Sequence, residues 1–358
     1  MPPISAIDAI GPALRRTKTF LFQPFRFTTY LKLCLVAVIT EGFGANANFS
    51  APGPFGSHSG HSHFADAPSS FTPRAFLTPA HIAVIMAAAL LVIAIGLLIL
   101  YLVTRLRFAY FHCLVHNTRQ IRPGWHLYRA QAIRFYWLNV VVGLCFLLLA
   151  ASVVAPFAAG IWRILHHTPA GSQPNIALFV SLLLPFFLSV FLLVLVFFAA
   201  DLVLRDFILP HFALENATSG QAWRAVWARI KAEKAPFFVY ALLRLILPIA
   251  AVIALFIVLI IPVLVIAAIF VLIGFGIHLA FGAATGASFA LEILFEVLLG
   301  LIAFAVAFTI AIGAGGPLST AIREFALLFY GSRYQQLGAV LFPPPPFPPH
   351  PTSPGATL

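Results

Sequence analysis

Charged side chains are scarce in this sequence. Lysine and arginine together number 21 and aspartate and glutamate only 10, so that charged residues make up 9% of the 358 residues. An ordinary soluble domain carries about 25%, because a fold of this size needs a polar surface to stay in water. This scarcity excludes a soluble enzyme, a fibrous protein or a disordered chain as a description of the whole polypeptide.

Cysteine and catalytic motifs are also in short supply. The three cysteines, Cys34, Cys113 and Cys145, are odd in number and form no C-x-x-C pair, which argues against a disulfide framework and a structural zinc site. The sequence contains no Walker-type lysine loop, no H-E-x-x-H and no G-x-S-x-G motif. We therefore expect a protein that is not an enzyme and that has no cofactor.

Long hydrophobic runs are what the sequence has in abundance. Hydrophobic residues make up 61% of the chain, phenylalanine alone occurs 37 times, and the mean hydropathy is +1.01. A helical span takes about 20 mostly apolar residues, and an open strand edge is not tolerated in lipid. The sequence predicts an all-α polytopic transmembrane helical bundle of six to seven spans with interfacial amphipathic helices. The predicted spans lie near 28–43, 81–104, 135–158, 177–203, 236–259, 262–282 and 289–313.

Three regions follow from this pattern. Residues 1–27 form a basic cytoplasmic N-terminus, and residues 28–341 form the transmembrane domain. A loop at 44–80, rich in Gly, Ser, Ala and Pro, is expected to be flexible. Residues 342–358 form a Pro-rich tail that is expected to be disordered.

In two regions the number of predicted spans depends on how the segment is interpreted. Basic residues, a short apolar core and the A-x-A pattern of Ala45 and Ala47 give the first segment the features of a signal peptide. Its basic region is longer than a signal peptide needs, which favours a short first span or half-span over cleavage. The nearly charge-free stretch 236–282 fits two spans, with Pro262 turning the chain between them.

Lysine and arginine are unevenly distributed over the predicted loops. With the N-terminus inside and seven spans, the inner segments hold 16 of these residues and the outer segments four. Cytoplasmic loops carry such an excess, next to anionic lipid. We expect an inner or plasma membrane protein whose partners are the bilayer and the anionic lipids of its inner face, with no nucleic acid. The four outer residues are Arg74, Arg163, Arg323 and Arg333.

Two inner loops have the pattern of helices that lie in the membrane surface. In 218–234, Thr218 and Gln221 have the spacing of a capping box, and the basic residues fall largely off an apolar stripe. The segment 125–137 has a similar pattern. The apolar stripe of the first segment consists of Trp223, Val226, Trp227 and Ile230.

The inner loops also share a weak internal repeat. His112 and Asn117 recur as His211 and Asn216, at an offset of 99 residues. Repeated halves are common in transporters, and duplication of a helical hairpin gives the same pattern. Two tripeptides that follow spans are also alike, RDF at 205–207 and REF at 323–325.

Three charged residues fall well inside the predicted spans: Arg244, Glu292 and Glu296. Each is costly in hydrocarbon unless it is paired or hydrated. The seven-span topology places them and His278 at a similar depth near the inner leaflet, so we expect Arg244 to pair with Glu296, with Glu292 and His278 beside them. The functional interpretation is a gate, proton relay or anion site, and the structural one is an ion pair that sets helix register.

Histidines form two further groups. His58, His61 and His63 make an H-x-x-H-x-H cluster on the predicted outer side, which is either a site for zinc, copper or nickel or a polar spacer. His112 and His116 are four residues apart and share a helix face, but no third metal ligand is apparent. The second pair therefore fits interfacial histidines better than a metal site.

Several stretches resemble a loose group of bacterial membrane proteins of unknown function. They are FLFQPFRFTTYLKLCLVAV, RDFILPHFALEN, the Trp-bearing amphipathic segment and REFALLFYGSRY. That group is similar to the membrane domain attached to some glycerophosphodiester phosphodiesterases. The resemblance implies a membrane module without known catalysis, and no soluble run is long enough to hold the phosphodiesterase domain itself.

Two functions fit these features. The first is a non-enzymatic scaffold or envelope component that acts through lipid and helix contacts. The second is a transporter or permease that uses an intramembrane cluster of Arg244, Glu292 and Glu296. An intramembrane enzyme is a third possibility, for which no nucleophile and base can be named together.

Overall fold

The structure is a computed structural model that describes residues 3–45, 79–167, 176–281 and 287–343. Regular secondary structure in these ranges is helical throughout, which agrees with the predicted fold class. A π-helical segment, Val203–Ile208, joins two of the α-helices. The α-helices are α1 (Ile10–Phe22), α2 (Phe27–Ala45), α3 (Pro79–Val115), α4 (Ile121–Leu127), α5 (Arg129–His167), α6 (Ile176–Leu202), α7 (Leu209–Glu215), α8 (Ser219–Ala232), α9 (Lys234–Phe281), α10 (Ala287–Gly331) and α11 (Gln335–Leu341).

Five helical stretches in the described residues are long and apolar enough to cross a membrane. In four of them none of the most hydrophobic window is buried inside the protein, and in the fifth 6% is buried. Apolar surface of this extent is typical of contact with lipid. Membrane-spanning helices thus agree with the sequence analysis, whereas the count of six to seven is not confirmed. The five stretches are Ala83–Val115, Arg129–Trp162, Leu183–Glu215, Lys234–Phe281 and Phe289–Gly331.

The clearest difference from the predicted topology is in the region 236–282. Instead of two spans that meet at Pro262, the structure has the single helix α9, which continues for 48 residues through Pro248 and Pro262. A proline removes one backbone hydrogen bond, but a turn in lipid would leave several backbone groups unpaired, so the continuous helix is preferred. At 1.5 Å per residue, α9 is about 72 Å long.

Helices α9 and α10 run antiparallel. Near one end of the pair, Tyr240 stacks on Phe325 and Phe329 with ring centroids 5.2 and 4.4 Å apart. Near the other end, Phe281 stacks on Phe295 at 5.9 Å. Because the residue number rises along α9 while that of its partner falls along α10, the two helices form one long hairpin.

The chain divides into two compact units. The first unit comprises Met1–Val38, Tyr110–Gly124 and Ala199–Leu358, and the second comprises Ile39–Ala109 and Trp125–Phe198. The hairpin of α9 and α10 belongs to the first unit. Most of the large, fully buried aromatic side chains also lie in the first unit.

Aromatic contacts join neighbouring helices of the second unit. The ring of Phe146 in α5 lies 4.7 Å from that of Phe197 in α6, and Phe157 lies 5.4 Å from Phe186. The order of these pairs shows that α5 and α6 also run antiparallel. The α5–α6 pair therefore forms a second apolar hairpin.

Arginines satisfy the ends of helices in the first unit. The last carbonyl groups of a helix have no partner within it. Arg16 of α1 donates to the carbonyl of Leu114, at the end of α3, at 2.7 Å. Arg119 donates to the carbonyls of Thr19 and Gln23, at the end of α1. Cations at helix C-termini also interact favourably with the helix dipole, so these residues hold α1 against the end of α3.

The predicted first span, 28–43, lies in α2, which begins within the first unit. Leu33 and Cys34 are buried there, and a Cβ built on Gly316 of α10 would overlap the Cys34 side chain. The Tyr30 hydroxyl donates to the carbonyl of Gly313 at 2.6 Å. Small residues permit such close helix contacts. The first half of α2 thus packs closely against α10.

The N-terminal segment and the end of α10 meet in the first unit. The Ile4 N–H donates to Ser332 Oγ at 3.2 Å, and Arg333 donates to the Ile4 carbonyl at 2.9 Å. These two parts of the chain are therefore in direct contact. The seven-span topology puts Arg323 and Arg333 opposite the N-terminus, an arrangement that the contact of Arg333 with Ile4 does not fit.

The predicted capping box is confirmed, and one position of the weak internal repeat has the same backbone conformation in both copies. Helix α8 begins with the capping box of Thr218 and Gln221, in which the Thr218 N–H donates to Gln221 Oε1 at 3.0 Å. Asn117 and Asn216, which are equivalent in the internal repeat, have left-handed backbones with φ of 51° and 50°. Asparagine tolerates this conformation at helix ends. The sequence repeat is thus also a repeat of backbone conformation.

Some predictions fall outside the described residues. They are the histidine cluster of His58, His61 and His63, most of the loop 44–80, and the Pro-rich tail after residue 343.

Candidate functional sites

Asp206 lies on the π-helical segment that follows α6. At its end the Leu209 N–H bonds to the carbonyl of Leu204, five residues back instead of four. Segments of this kind frequently occur at functional sites. Residues 204–208 are all buried, so the segment directs both a carboxylate and the ring of Phe207 into the first unit.

Three side chains donate to the Asp206 carboxylate. Arg244 of α9 donates through Nε at 3.1 Å and Tyr240 through its hydroxyl at 2.8 Å, both to Oδ2. Arg323 of α10 donates to Oδ1 at 2.9 Å and to the carbonyl of Arg205 at 2.9 Å. Asp206, Arg244 and Arg323 are 1%, 5% and 3% exposed. We refer to Asp206, Tyr240, Arg244 and Arg323 as the Asp206 cluster.

The Asp206 cluster connects the end of α6 with α9 and α10. Both oxygens of the carboxylate accept hydrogen bonds, and both cations are buried, so the cluster resembles a structural junction more than a reaction centre. It also brings together the two similar tripeptides, because Arg323 of REF contacts Arg205 and Asp206 of RDF. Glu324, the carboxylate of REF, is fully buried, and its Oε2 lies 3.1 Å from Nε of Arg16.

The expected pair of Arg244 and Glu296 is not what the structure shows. Arg244 is bound to Asp206, a residue that the sequence analysis did not consider as its partner. The physical reason is the continuous α9: His278, which lies beside Glu296, is 34 residues from Arg244 on the same helix. That separation is about 50 Å along the helix, so the four polar residues do not lie at one level.

The other three predicted residues do come together near the turn of the α9–α10 hairpin. Nδ1 of His278 lies 2.9 Å from Oε1 of Glu292. One possible ligand atom from each of His278, Glu292 and Glu296 lies within 4.8 Å of the others. Glu292 is buried, whereas His278 and Glu296 are exposed. We refer to these three residues as the hairpin cluster.

A further polar group surrounds His211 in the first unit. Its Nε2 lies 2.8 Å from the Tyr330 hydroxyl and its Nδ1 lies 3.1 Å from Oε2 of Glu215. The Tyr334 ring lies 4.2 Å from the imidazole, and burial raises the pKa of Tyr334, with the nearby Glu215 raising it further. Tyr334 therefore stays protonated and neutral. Its surroundings are those of a packed aromatic core.

The equivalent histidine in the repeat, His112, has different surroundings. Its ring lies 4.4 Å from that of His116, edge to face. Among the described residues, the group of three potential metal ligands is the hairpin cluster, which does not include His112 or His116. The two imidazoles of His112 and His116 thus share a face as the sequence predicts, without a described third ligand.

The sequence pattern of one protein family covers almost the whole chain. Residues 4–340 match DUF7544, which is described as a family of unknown function. The chain belongs to this family. No curated protein and no solved structure matches the DUF7544 chain. The match supplies no activity and no link to membrane domains of phosphodiesterases, so the function has to be argued from the residues of this DUF7544 protein.

Asp206 is the central residue that the sequence analysis missed. Its nearest signal was the similarity of RDF at 205–207 and REF at 323–325, since both tripeptides place a carboxylate beside an arginine at the end of an apolar run. The contact between them joins residues 117 apart in the chain. Such pairing of two distant motifs is not visible in the spacing of either one.

Proposed function

We propose that this DUF7544 protein is a non-enzymatic integral membrane protein of the inner or plasma membrane that acts as a scaffold or envelope component. The observation that carries the proposal is the contrast between its spans and its charged groups. The spans expose apolar side chains along their length, whereas the charges of the Asp206 cluster bind one another. Such a protein offers a firmly held core together with apolar helix surfaces for lipid and neighbouring helices.

The proposed topology has six spans. Arg16 of α1 contacts the Leu114 carbonyl at the end of α3, so these two points lie on one side of the membrane. Because α3 crosses once, the chain between α1 and α3 crosses a second time, and α2 is the helix available for it. The five long helices and α2 then give six crossings, which agrees with the contact between Ile4 and Ser332.

The distribution of basic residues supports a cytoplasmic position for the N-terminus. In the six-span topology, 19 of the 21 lysines and arginines lie on or near the N-terminal side. The two exceptions are Arg74 and Arg163. This excess is larger than in the seven-span topology, and the positive-inside rule assigns the basic side to the cytoplasm.

Helix α8 is proposed to lie at the surface of the inner leaflet. Trp223 and Trp227 stack with centroids 6.4 Å apart and are about half exposed, and Lys231 lies over the Trp227 ring at 5.7 Å. Val226, by contrast, is buried, so its side of the helix packs against the rest of the first unit. Tryptophan and lysine are typical of the interface with anionic lipid.

A transporter or permease is the second candidate function. The observation that favours it is the hairpin cluster, which places two carboxylates and an imidazole in residues 245–322, a part of the hairpin with no other Asp, Glu, Lys, Arg or His. Ionisable groups in such positions often mark ion or proton pathways. The absence of Arg244 from this cluster removes the anion site that the sequence analysis considered.

Flux through proteoliposomes separates the two functions. The full chain is reconstituted with a pH-sensitive or ion-sensitive dye inside the vesicles. The scaffold proposal predicts the same proton and ion leak with and without protein, and no effect of Glu296→Gln. Protein-dependent flux that Glu296→Gln abolishes, and that Glu233→Gln at a partly exposed carboxylate outside the hairpin cluster leaves intact, would establish the permease instead.

Co-purified lipid tests the proposed contact of α8 with the inner leaflet. If α8 contacts anionic lipid, the protein extracted in mild detergent retains more anionic lipid than the bulk membrane contains. Replacement of Arg224 and Lys231 by serine should reduce this enrichment. Equal lipid composition in the protein and the bulk membrane would contradict the proposed inner-leaflet contact.

A further inference from the structure

We propose that the hairpin cluster is a binding site for a divalent transition-metal ion, with zinc as the ion to be tested. The ligands are one nitrogen of His278 and one carboxylate oxygen each from Glu292 and Glu296. This site is independent of the proposed scaffold function and adds an activity, metal binding, to it.

The first observation is that ionisable residues are rare in this part of the chain. Between residues 245 and 322 the sequence contains no lysine, arginine or aspartate. Its ionisable side chains from the Asp, Glu, Lys, Arg and His types are His278, Glu292 and Glu296. All three converge so that their ligand atoms lie within 4.8 Å of one another, although they come from two different helices.

The second observation is that the two helices are held together on both sides of the cluster. Phe281 and Phe295 stack nearest the turn. On the other side, a Cβ built on Gly274 would lie 3.5 Å from the Leu299 side chain, which shows that α9 and α10 approach closely. The ligands therefore stand on rigid, packed elements, which is the arrangement that a metal site requires.

The donor set matches a transition metal. Zinc binds imidazole nitrogen at 2.0–2.1 Å and carboxylate oxygen at about 2.0–2.2 Å, with water as a fourth ligand in three-residue sites. Ligand atoms around such an ion lie about 3.4 Å apart, and rotation of the exposed side chains of His278 and Glu296 closes the distance from 4.8 Å. Imidazole in the set disfavours magnesium and calcium, which take oxygen ligands.

Charge balance gives the ion a physical reason to bind. Two carboxylates and one imidazole carry a net negative charge even when the imidazole is protonated. A divalent cation with neutral His278 neutralises the two carboxylates completely. Such compensation is worth most for Glu292, which is buried in a part of the hairpin that has few other ionisable side chains.

The length of α9 places the site at the side of the membrane opposite the Asp206 cluster. His278 lies 34 residues beyond Arg244 in one helix, or about 50 Å. A helix tilted by about 40° still advances about 39 Å over that length, which exceeds the hydrocarbon thickness of about 30 Å. In the proposed topology the site is therefore open to metal from the outer side.

The test is zinc titration of the full chain in detergent by calorimetry. Because His58, His61 and His63 are possible ligands as well, all three are first replaced by alanine to give the reference protein. We expect one zinc ion per chain in this reference protein. His278→Ala and Glu296→Gln should each weaken zinc binding by about tenfold or more, while magnesium should show no comparable binding.

Controls make each outcome decisive. His126→Ala removes an exposed imidazole outside the cluster and should leave zinc binding unchanged. Since His278 and Glu296 are exposed, their variants keep the fold even if Glu292→Gln does not. Cobalt in place of zinc should give the visible spectrum of a low-symmetry site in the reference protein and lose it in His278→Ala. No zinc binding in the reference protein, or equal binding in the variants, would overturn the proposal.

Discussion

Removal of the Asp206 charge should destabilise the first unit more than any other single carboxylate substitution we consider. Asp206→Asn leaves Arg244 and Arg323, at 5% and 3% exposure, buried without their carboxylate, and it turns an amide nitrogen toward one of two guanidinium groups. Breaking a buried ion pair costs about 3–5 kcal/mol. Because two buried cations lose this carboxylate together, we expect a value in the upper part of that range.

Two milder variants calibrate the Asp206 effect. Tyr240→Phe removes one hydrogen bond to the carboxylate, of 2.8 Å, and retains the stacked ring, so we expect a loss of about 1.5–3 kcal/mol. Glu233→Gln removes a carboxylate that is 38% exposed from its pair with Arg333. Arg333 is 5% exposed but keeps its hydrogen bonds to the carbonyls of Ile4 and Phe329 in this variant. Because the carboxylate itself is partly solvated, we expect a loss of only about 1 kcal/mol, and this variant serves as the control.

Buried thiols provide the assay for these variants. Cys34 and Cys113 are 0% exposed and both belong to the first unit, whereas Cys145 is exposed. In a Cys145→Ala background in detergent, a fluorescent maleimide therefore reacts only as the first unit unfolds with increasing denaturant. A denaturation midpoint for Asp206→Asn that is no lower than that for Glu233→Gln would refute the reasoning about the cluster.

Three further predictions use the same protein. Gly316→Val should lower the thiol-assay midpoint strongly because its side chain would overlap Cys34, whereas Gly313→Val, where a Cβ meets nothing within 4 Å, should have a small effect; equal effects would contradict the close contact of α2 and α10. Arg16→Met should destabilise the protein by about 3 kcal/mol because Glu324 stays buried, and the double variant with Glu324→Met should recover part of the loss, since the hydrogen bond of Arg16 to the Leu114 carbonyl stays broken; additive losses would argue against a charge effect. Fluorescence of Trp227 should be quenched by lipids brominated near the headgroup, so that Trp227→Leu reduces the total quenching; unchanged quenching would place α8 away from the interface.

Local features of this protein could be predicted from its sequence because they depend on neighbouring residues. The capping box of Thr218 and Gln221 needs residues three apart, and the apolar runs identify helices by composition alone. The equivalence of Asn117 and Asn216 was also visible, because each asparagine ends a helix in the same way.

The continuity of α9 and the partner of Arg244 could not be predicted in the same way. A charge-free run around Pro262 has the same composition whether it forms one long helix or two spans. Once that choice was made for two spans, a common depth of His278 and Arg244 followed from it, whereas the structure separates the two residues by 34 positions of one helix. Arg244 and Asp206 are 38 residues apart, and only the packing of α9 against the end of α6 brings them together.

Cysteine labelling in sealed cells tests the central claim, a membrane-embedded chain with its polar core on the cytoplasmic side. Single cysteines replace Gly11, Thr285 or Gln335 in a Cys145→Ala background, and a membrane-impermeant maleimide is added before or after lysis. We predict that Thr285→Cys, between α9 and α10, is labelled in intact cells, and that Gly11→Cys and Gln335→Cys are labelled only after lysis. Labelling of Gly11→Cys in intact cells, or protection of Thr285→Cys, would contradict the account.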